Sequence, residues 1–141
     1  MSDGVIAVVG IEEPILKSSK FTQVTEWVKH LRELGSDKRK QYLRALPRRF
    51  KKIRQYLMLA RICTTIRCVQ KLIYSYNPLV VIIDDKLANR VQYPRKVRES
   101  NVKEHHRRRL ILLADNLAGY ARTLRSRGSN KWLEKVKELE V

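Results

Sequence analysis

Acidic side chains are scarce in this sequence and missing from residues 38–83. Asp and Glu number 14 against 31 Lys and Arg in 141 residues, a formal net charge of +17. Between Asp37 and Asp84 there is no acid at all, while twelve Lys and Arg fall in that interval. A solvated helix face normally mixes both signs, so this interval points to an anionic partner. Cysteine is limited to Cys63 and Cys68. Five residues apart on one helix, they would sit roughly 140° apart around the axis, which excludes both a bridge and a shared metal. The expectation is a pair of buried thiols in a reducing compartment. Long apolar runs are also missing, none reaching the ~18 residues of a membrane span. The opening "MSDGVIAVVGIEEP" lacks the basic start of a signal peptide. An intracellular protein with no membrane partner is therefore expected.

Other absences narrow the chemistry. No glycine-rich phosphate loop, zinc-finger spacing, glycine-rich RNA sheet motif or basic zipper occurs, and no Ser or Cys stands in a nucleophile motif. Internal repeats, low-complexity tracts and linkers are lacking too. No catalytic residue, metal ligand set or cofactor is expected.

What is present is enough apolar material, 43% of residues, for one folded domain over 1–141 rather than a disordered basic tail. "GVIAVVGIEEP" reads as a buried strand. Phe21, Val24, Val28 and Leu31, with Trp27 and Leu34, predict an amphipathic helix capped by Ser19 or Thr22 and stopped at Gly35. A short helical turn through Tyr42, Leu43 and Leu46 leads to Pro47, expected in the first turn of the next helix. From Arg48 to about Tyr76 nothing breaks the pattern, which predicts one long central helix. Its apolar positions form two seams on nearly opposite sides: Phe50, Ile53, Leu57 and Ala60, then Leu59, Ile62, Ile66, Val69 and Ile73. Either two packing partners or a kink between "LMLA" and "RICT" accounts for the crossover.

The run Leu79–Ile83 is read as a strand in preference to a helix capped by Asn77, because consecutive β-branched residues disfavour helix. Leu110, Leu113, Leu117, Tyr120 and Leu124 predict a further helix, with Ala114, Ala118, Gly119 and Ala121 beside them for close packing. Gly128 ends it, and Ser129 is expected to cap a last helix through Trp132, Leu133 and Val136, where Glu134, Glu138 and Glu140 are the most acidic patch. The expected fold is mainly α, a single compact helical domain with one long central helix and a small two-stranded β element. An all-α bundle is the alternative.

The basic side chains fall into two blocks. The first is Lys38, Arg39, Lys40, Arg44, Arg48, Arg49, Lys51, Lys52 and Arg54. The second is Arg95, Lys96, Arg98, Lys103, Arg107, Arg108 and Arg109, with His105 and His106 among them. Arg binds phosphate oxygens through paired hydrogen bonds, and several such contacts release counterions. Tyr42, Tyr56 and Tyr93 would either stack on bases or pack at core edges. A helix-turn-helix around Gly35 rests on a single glycine. Adjacent His105 and His106 diverge by about 100° on a helix and cannot chelate well. Binding to DNA or RNA through the phosphate backbone, with little base readout, is the leading expectation.

Two other classes stay in view. One is a small subunit docking on a larger nucleoprotein or polymerase complex through the acidic last helix or an apolar edge. The other is a metal-dependent nuclease. If the first strand and Leu79–Ile83 pair in parallel, Glu12, Glu13, Asp84 and Asp85 meet at one sheet edge and could hold Mg²⁺ or Mn²⁺. "VVIIDDK" resembles the acid-ending strand of metal-dependent nucleases over about seven residues, and Glu104 and Asp115 are the remaining candidate acids. The competing reading has Asp84 and Asp85 ending a strand or capping a turn. So small a sheet also favours a homo-oligomer that completes it.

Overall fold

The computed structural model describes residues 4–128 and 130–141. Among these, six α-helices and two separate two-stranded sheets make a mainly helical fold with a small β component, as expected. Strand β1 (Ile6–Gly10) pairs antiparallel with β2 (Leu59–Cys63), Ile6 opposite Cys63 and Gly10 opposite Leu59. The second pair, β3 (Val81–Ile83) and β4 (Lys96–Arg98), is parallel.

The first correction concerns the long central helix. Helix α3 (Ser36–Ile53) starts twelve residues earlier than Arg48 and passes straight through Pro47. Leu43, Leu46, Phe50 and Ile53 recur at spacings of three and four and bury one continuous stripe. Burying that stripe outweighs the single backbone bond that proline removes. A 3-10 turn at Arg54–Tyr56 ends the helix, and the chain then becomes extended at Leu57. Met58 N–H donates to Gly10 O at 2.9 Å, and the chain continues as β2. "LARIC" has ordinary helix propensity, but the apolar β1 needs a partner strand, and that non-local pairing prevails. Residues 66–76 resume as helix α4 (Ile66–Tyr76), so Phe50 and Ile53 of the first seam lie on α3, Ile66, Val69 and Ile73 of the second lie on α4, and Leu59, Ala60 and Ile62 lie in β2.

This break also brings the cysteines together. Cys63 closes β2, Cys68 lies in the first turn of α4, and they form a disulfide with a Cα–Cα distance of 5.6 Å. The divergence expected on one helix does not apply across a strand, a two-residue loop and a helix start. Thr65 caps α4 in that loop, accepting from Cys68 N–H at 3.1 Å. The expectation of reduced thiols is overturned, and the compartment loses that support. Disulfides belong to oxidising compartments and to the interiors of some hyperthermophiles. Among the described residues no helix is long and apolar enough to cross a membrane.

The amphipathic helix expected around Phe21 to Leu34 is shorter than its pattern suggests. Helices α1 (Glu13–Leu16) and α2 (Ser19–Val24) come first, with Ser18 rather than Ser19 or Thr22 capping α2. Thr25 turns its hydroxyl back onto Phe21 O at 2.7 Å, and Trp27 Nε1 donates to Val24 O at 2.7 Å. These side-chain bonds replace the next helical turn. Leu31 then re-enters the core within a 3-10 turn, Leu31–Glu33, and Gly35 precedes α3.

Helix α5 (His105–Ser126) is the spine of the molecule. Glu104 caps it by accepting from His106 N–H at 3.0 Å and Arg107 N–H at 2.8 Å. It packs on β1 and on α3. Leu46, Phe50, Ile53, Leu113 and Leu117 are fully buried at the centre of that contact. Gly119 lets Leu31 pack close to α5, since an added Cβ would meet Leu31 Cδ1 and force that side chain to shift. A second apolar cluster joins Cys63, Val69, Ile73, Ile83, Val91 and Tyr93 around the β3–β4 pair. Helix α6 (Trp132–Lys137) follows, its expected cap Ser129 lying outside the described residues. The last residues cover the outer edge of β2. Ile62 N–H donates to the Glu140 carboxylate at 2.9 Å, and Val141 N–H donates to Ala60 O at 3.0 Å.

Candidate nucleic-acid interface

Because α3 buries one stripe, its charges fall outside that stripe, apart from Arg39, which shares its side in the exposed first turn. Lys38, Arg39, Lys40, Arg44, Arg48, Lys51 and Lys52 are all exposed. Among the described residues none of these seven side chains has an ion pair or a hydrogen bond. Two members of the first block are committed elsewhere. Arg49 lies over the Trp27 ring, 5.4 Å from its centroid, and Arg54 donates to Glu138 O at 2.5 Å.

The second block has comparable charge and a different employment. Arg95 donates to Leu79 O at 2.7 Å and Pro78 O at 3.1 Å, and covers the Tyr93 ring. Lys96 holds Ala88 O and Val91 O, and Arg98 holds Asp85 O and Asn89 Oδ1. Arg107 pairs with Glu13 at 3.2 Å, Arg108 donates to Val102 O, and Arg109 donates to Thr22 O. Arg95, Lys96, Arg98 and Arg108 thereby satisfy carbonyls in loops and turns that no strand or helix bonds. Lys103 is exposed, and His105 stands 3.3 Å from an Arg109 nitrogen. The two blocks do not merge into one wall. The segment from Thr22 to Trp27 lies between them, held by Arg109 on one side and Arg49 on the other.

The three tyrosines pack rather than project. Tyr42 donates to Asn116 Oδ1 and accepts from Lys29 N–H at 3.0 Å, while burial pushes its phenol up from the ordinary range. Asn116 is itself fully buried and donates to Lys29 O and Leu112 O. Tyr56 meets the Phe21 ring edge-on at 6.1 Å, and Tyr93 is buried. Sequence reasoning did not count Tyr120, Thr123 and Arg127 as site residues. The end of α5 brings these three to Lys40, Leu43 and Arg44 of α3, around a slot of about 140 Å³ with Leu124. The "RTLRSRG" charges were visible, but their proximity to α3 is a tertiary fact.

The acids also depart from expectation. β1 and β3 are not paired, so Glu12, Glu13, Asp84 and Asp85 share no sheet edge. Asp84 ends β3 and caps the following turn, accepting from Lys86 N–H at 2.8 Å. The Ser100 hydroxyl first, and then the Ser100 N–H that donates to Asp85 at 3.2 Å, hold the Asp85 carboxyl below the usual range. Glu104 is the α5 cap and is likewise held low. Glu12, Glu13, Asp84, Glu99 and Asp115 nevertheless line one cavity of about 1090 Å³ between β1, β3 and α5. Asp115 is open to that cavity, yet the concave wall thins its hydration. That desolvation, with the Asp84 charge nearby, pushes its carboxyl up. Glu99 is raised by burial first and then by Asp115 and Asp84. As placed, no group of three or more His, Cys, Asp or Glu among the described residues is close enough to hold a metal ion. No family model, curated protein or solved structure matches this chain.

Proposed function

We propose that this protein binds DNA or RNA by its phosphate backbone, using the outer face of α3. One observation carries the reading: seven exposed cations on α3, six of them facing away from its buried stripe, have no partner among the described residues. A fold that places such a face in water bears the self-repulsion without internal compensation, and a polyphosphate relieves it. Base readout is minor, since the tyrosines near the charges are packed inward. The test is a salt series of binding to labelled duplex DNA, single-stranded DNA and structured RNA. A steep fall of log affinity against log salt, equivalent to about five or more released counterions, is expected. Flat or absent binding at ~0.15 M salt sinks the reading and turns attention to an acidic protein partner in a larger complex.

A second reading, a metal-dependent nuclease, is favoured by the five carboxylates lining one cavity and by the raised carboxyls of Glu99 and Asp115, each pushed up by burial and then by neighbouring acids that include Asp84. A divalent cation would relieve that repulsion and would draw the groups together. Mg²⁺-dependent cleavage lost in Asp84→Asn and Asp115→Asn supports it. Absence of cleavage with Mg²⁺ or Mn²⁺ removes it.

A further inference from the structure

The slot between α3 and the end of α5 has the chemistry of a phosphate seat. We propose that it takes one phosphate group, a diester or terminal monoester of the bound strand. This rests on the nucleic-acid reading and narrows it to one place. Lys40 and Arg44 approach from α3, and Arg127 approaches from the residue after α5. None of these three side chains has an ion pair or hydrogen bond among the described residues. Thr123 lines the slot with a hydroxyl whose proton goes to Gly119 O at 2.9 Å, so it can accept from Lys40, Arg44, Arg127 or a bridging water and does not itself donate to the anion. Tyr120 adds a half-buried phenol, and Leu43 and Leu124 form an apolar floor.

Several features select phosphate over other anions. The slot's volume of about 140 Å³ equals roughly four to five waters, room for a tetrahedral anion with a bridging water. Donors converge from two helices, which suits four tetrahedral oxygens better than the two of a planar carboxylate. Two of the three cations are Arg, whose fork matches phosphate. The carbonyl end of α5 contributes a partial negative charge of about half a unit, outweighed by three full positive ones. Glu138 is the opposing acid. Burial, and then the Glu138 charge, raise the Tyr120 phenol, but Glu138 does not line the slot. A phenol kept protonated remains a donor to an anion.

The experiment uses the full chain and two readouts. Inorganic phosphate is titrated at constant ionic strength while amide NMR signals are followed. Labelled duplex binding is then measured for wild type, Arg127→Gln, Thr123→Val and Lys51→Gln, the last lying on α3 away from the slot. Phosphate is expected to shift signals at Leu43, Tyr120, Thr123 and Leu124, and Arg127→Gln to abolish those shifts. Arg127→Gln should also weaken duplex binding about tenfold, more than Lys51→Gln. Duplex binding with no phosphate shifts, and no excess loss in Arg127→Gln, overturns the seat while leaving the α3 interface standing. Phosphate shifts without any nucleic-acid binding uphold the seat for a free phosphate compound and overturn the nucleic-acid reading. Neither signal overturns both.

Discussion

Residues 38–54, with nine Lys and Arg and no acid, and residues 95–109, with seven and two acids, are both strongly basic and do opposite work. On α3 the charges sit on a regular helix whose carbonyls are already bonded, so seven side chains are left to solvent. In 95–109 the backbone is loop, short strand and helix start, and its Arg and Lys side chains donate to carbonyls with no ladder to join. The same residue types are interface in one setting and mortar in the other. Charge density alone therefore overstates a binding surface, and the backbone beneath decides how much of it is free.

That contrast can be broken by mutation. The largest effect is expected from Arg39, Arg44, Arg48 and Lys52 changed together to Gln. Nucleic-acid affinity should fall by 10² or more, with the salt slope reduced by about one unit for each cation that had met a phosphate, and with thermal stability unchanged. Arg109→Ala should do the reverse. Losing its charged hydrogen bond to Thr22 O should cost about 2 kcal/mol of stability in urea unfolding, with little change in affinity. Next comes the disulfide. Cys68→Ser, or reduction, removes a short loop constraint worth roughly 2 kcal/mol. The lower denaturation midpoint should appear only when the bridge is open.

The smallest expected effect is a pH dependence at the cavity. Asp115 has its carboxyl raised in the folded state, so the folded chain binds more protons than the unfolded one in that window. Its contribution to stability therefore falls as pH rises from the ordinary Asp range through the raised value, and Glu99 acts in the same direction. Asp115→Asn should be more stable than wild type at neutral pH, with the difference shrinking on acidification. An advantage that persists at low pH would show that the effect is not protonation.

Sequence patterning reached some of this structure and stopped at identifiable places. Helix α5 was legible because Leu113, Leu117 and Leu124 repeat at helical spacing on one face. β1 and β3 were legible because β-branched runs are bounded by Gly, Pro and Asp. β2 was not, since "LARIC" carries no strand signal of its own and owes its conformation to β1, about 50 residues away. The crossing of the two seams near Met58 was a correct sign of discontinuity, read as either two packing partners or a kink. The disulfide was hidden by that same error. At the site, α3 was legible as the basic block. The structural use of Arg95, Lys96 and Arg109, and the approach of Arg127 to Lys40, depend on proximities that only the folded chain creates.

Lysine footprinting tests the central claim most directly, because lysines occur in both basic regions. Acylation of the full chain is compared with and without saturating duplex DNA or structured RNA, and each lysine is quantified by peptide mass. Lys38, Lys40, Lys51 and Lys52 are exposed on α3 with no partner among the described residues, while Lys103 is exposed in the other block. The account predicts protection of the α3 lysines and unchanged reactivity of Lys103. Protection of Lys103 with the α3 set unaffected, or of neither, would contradict it.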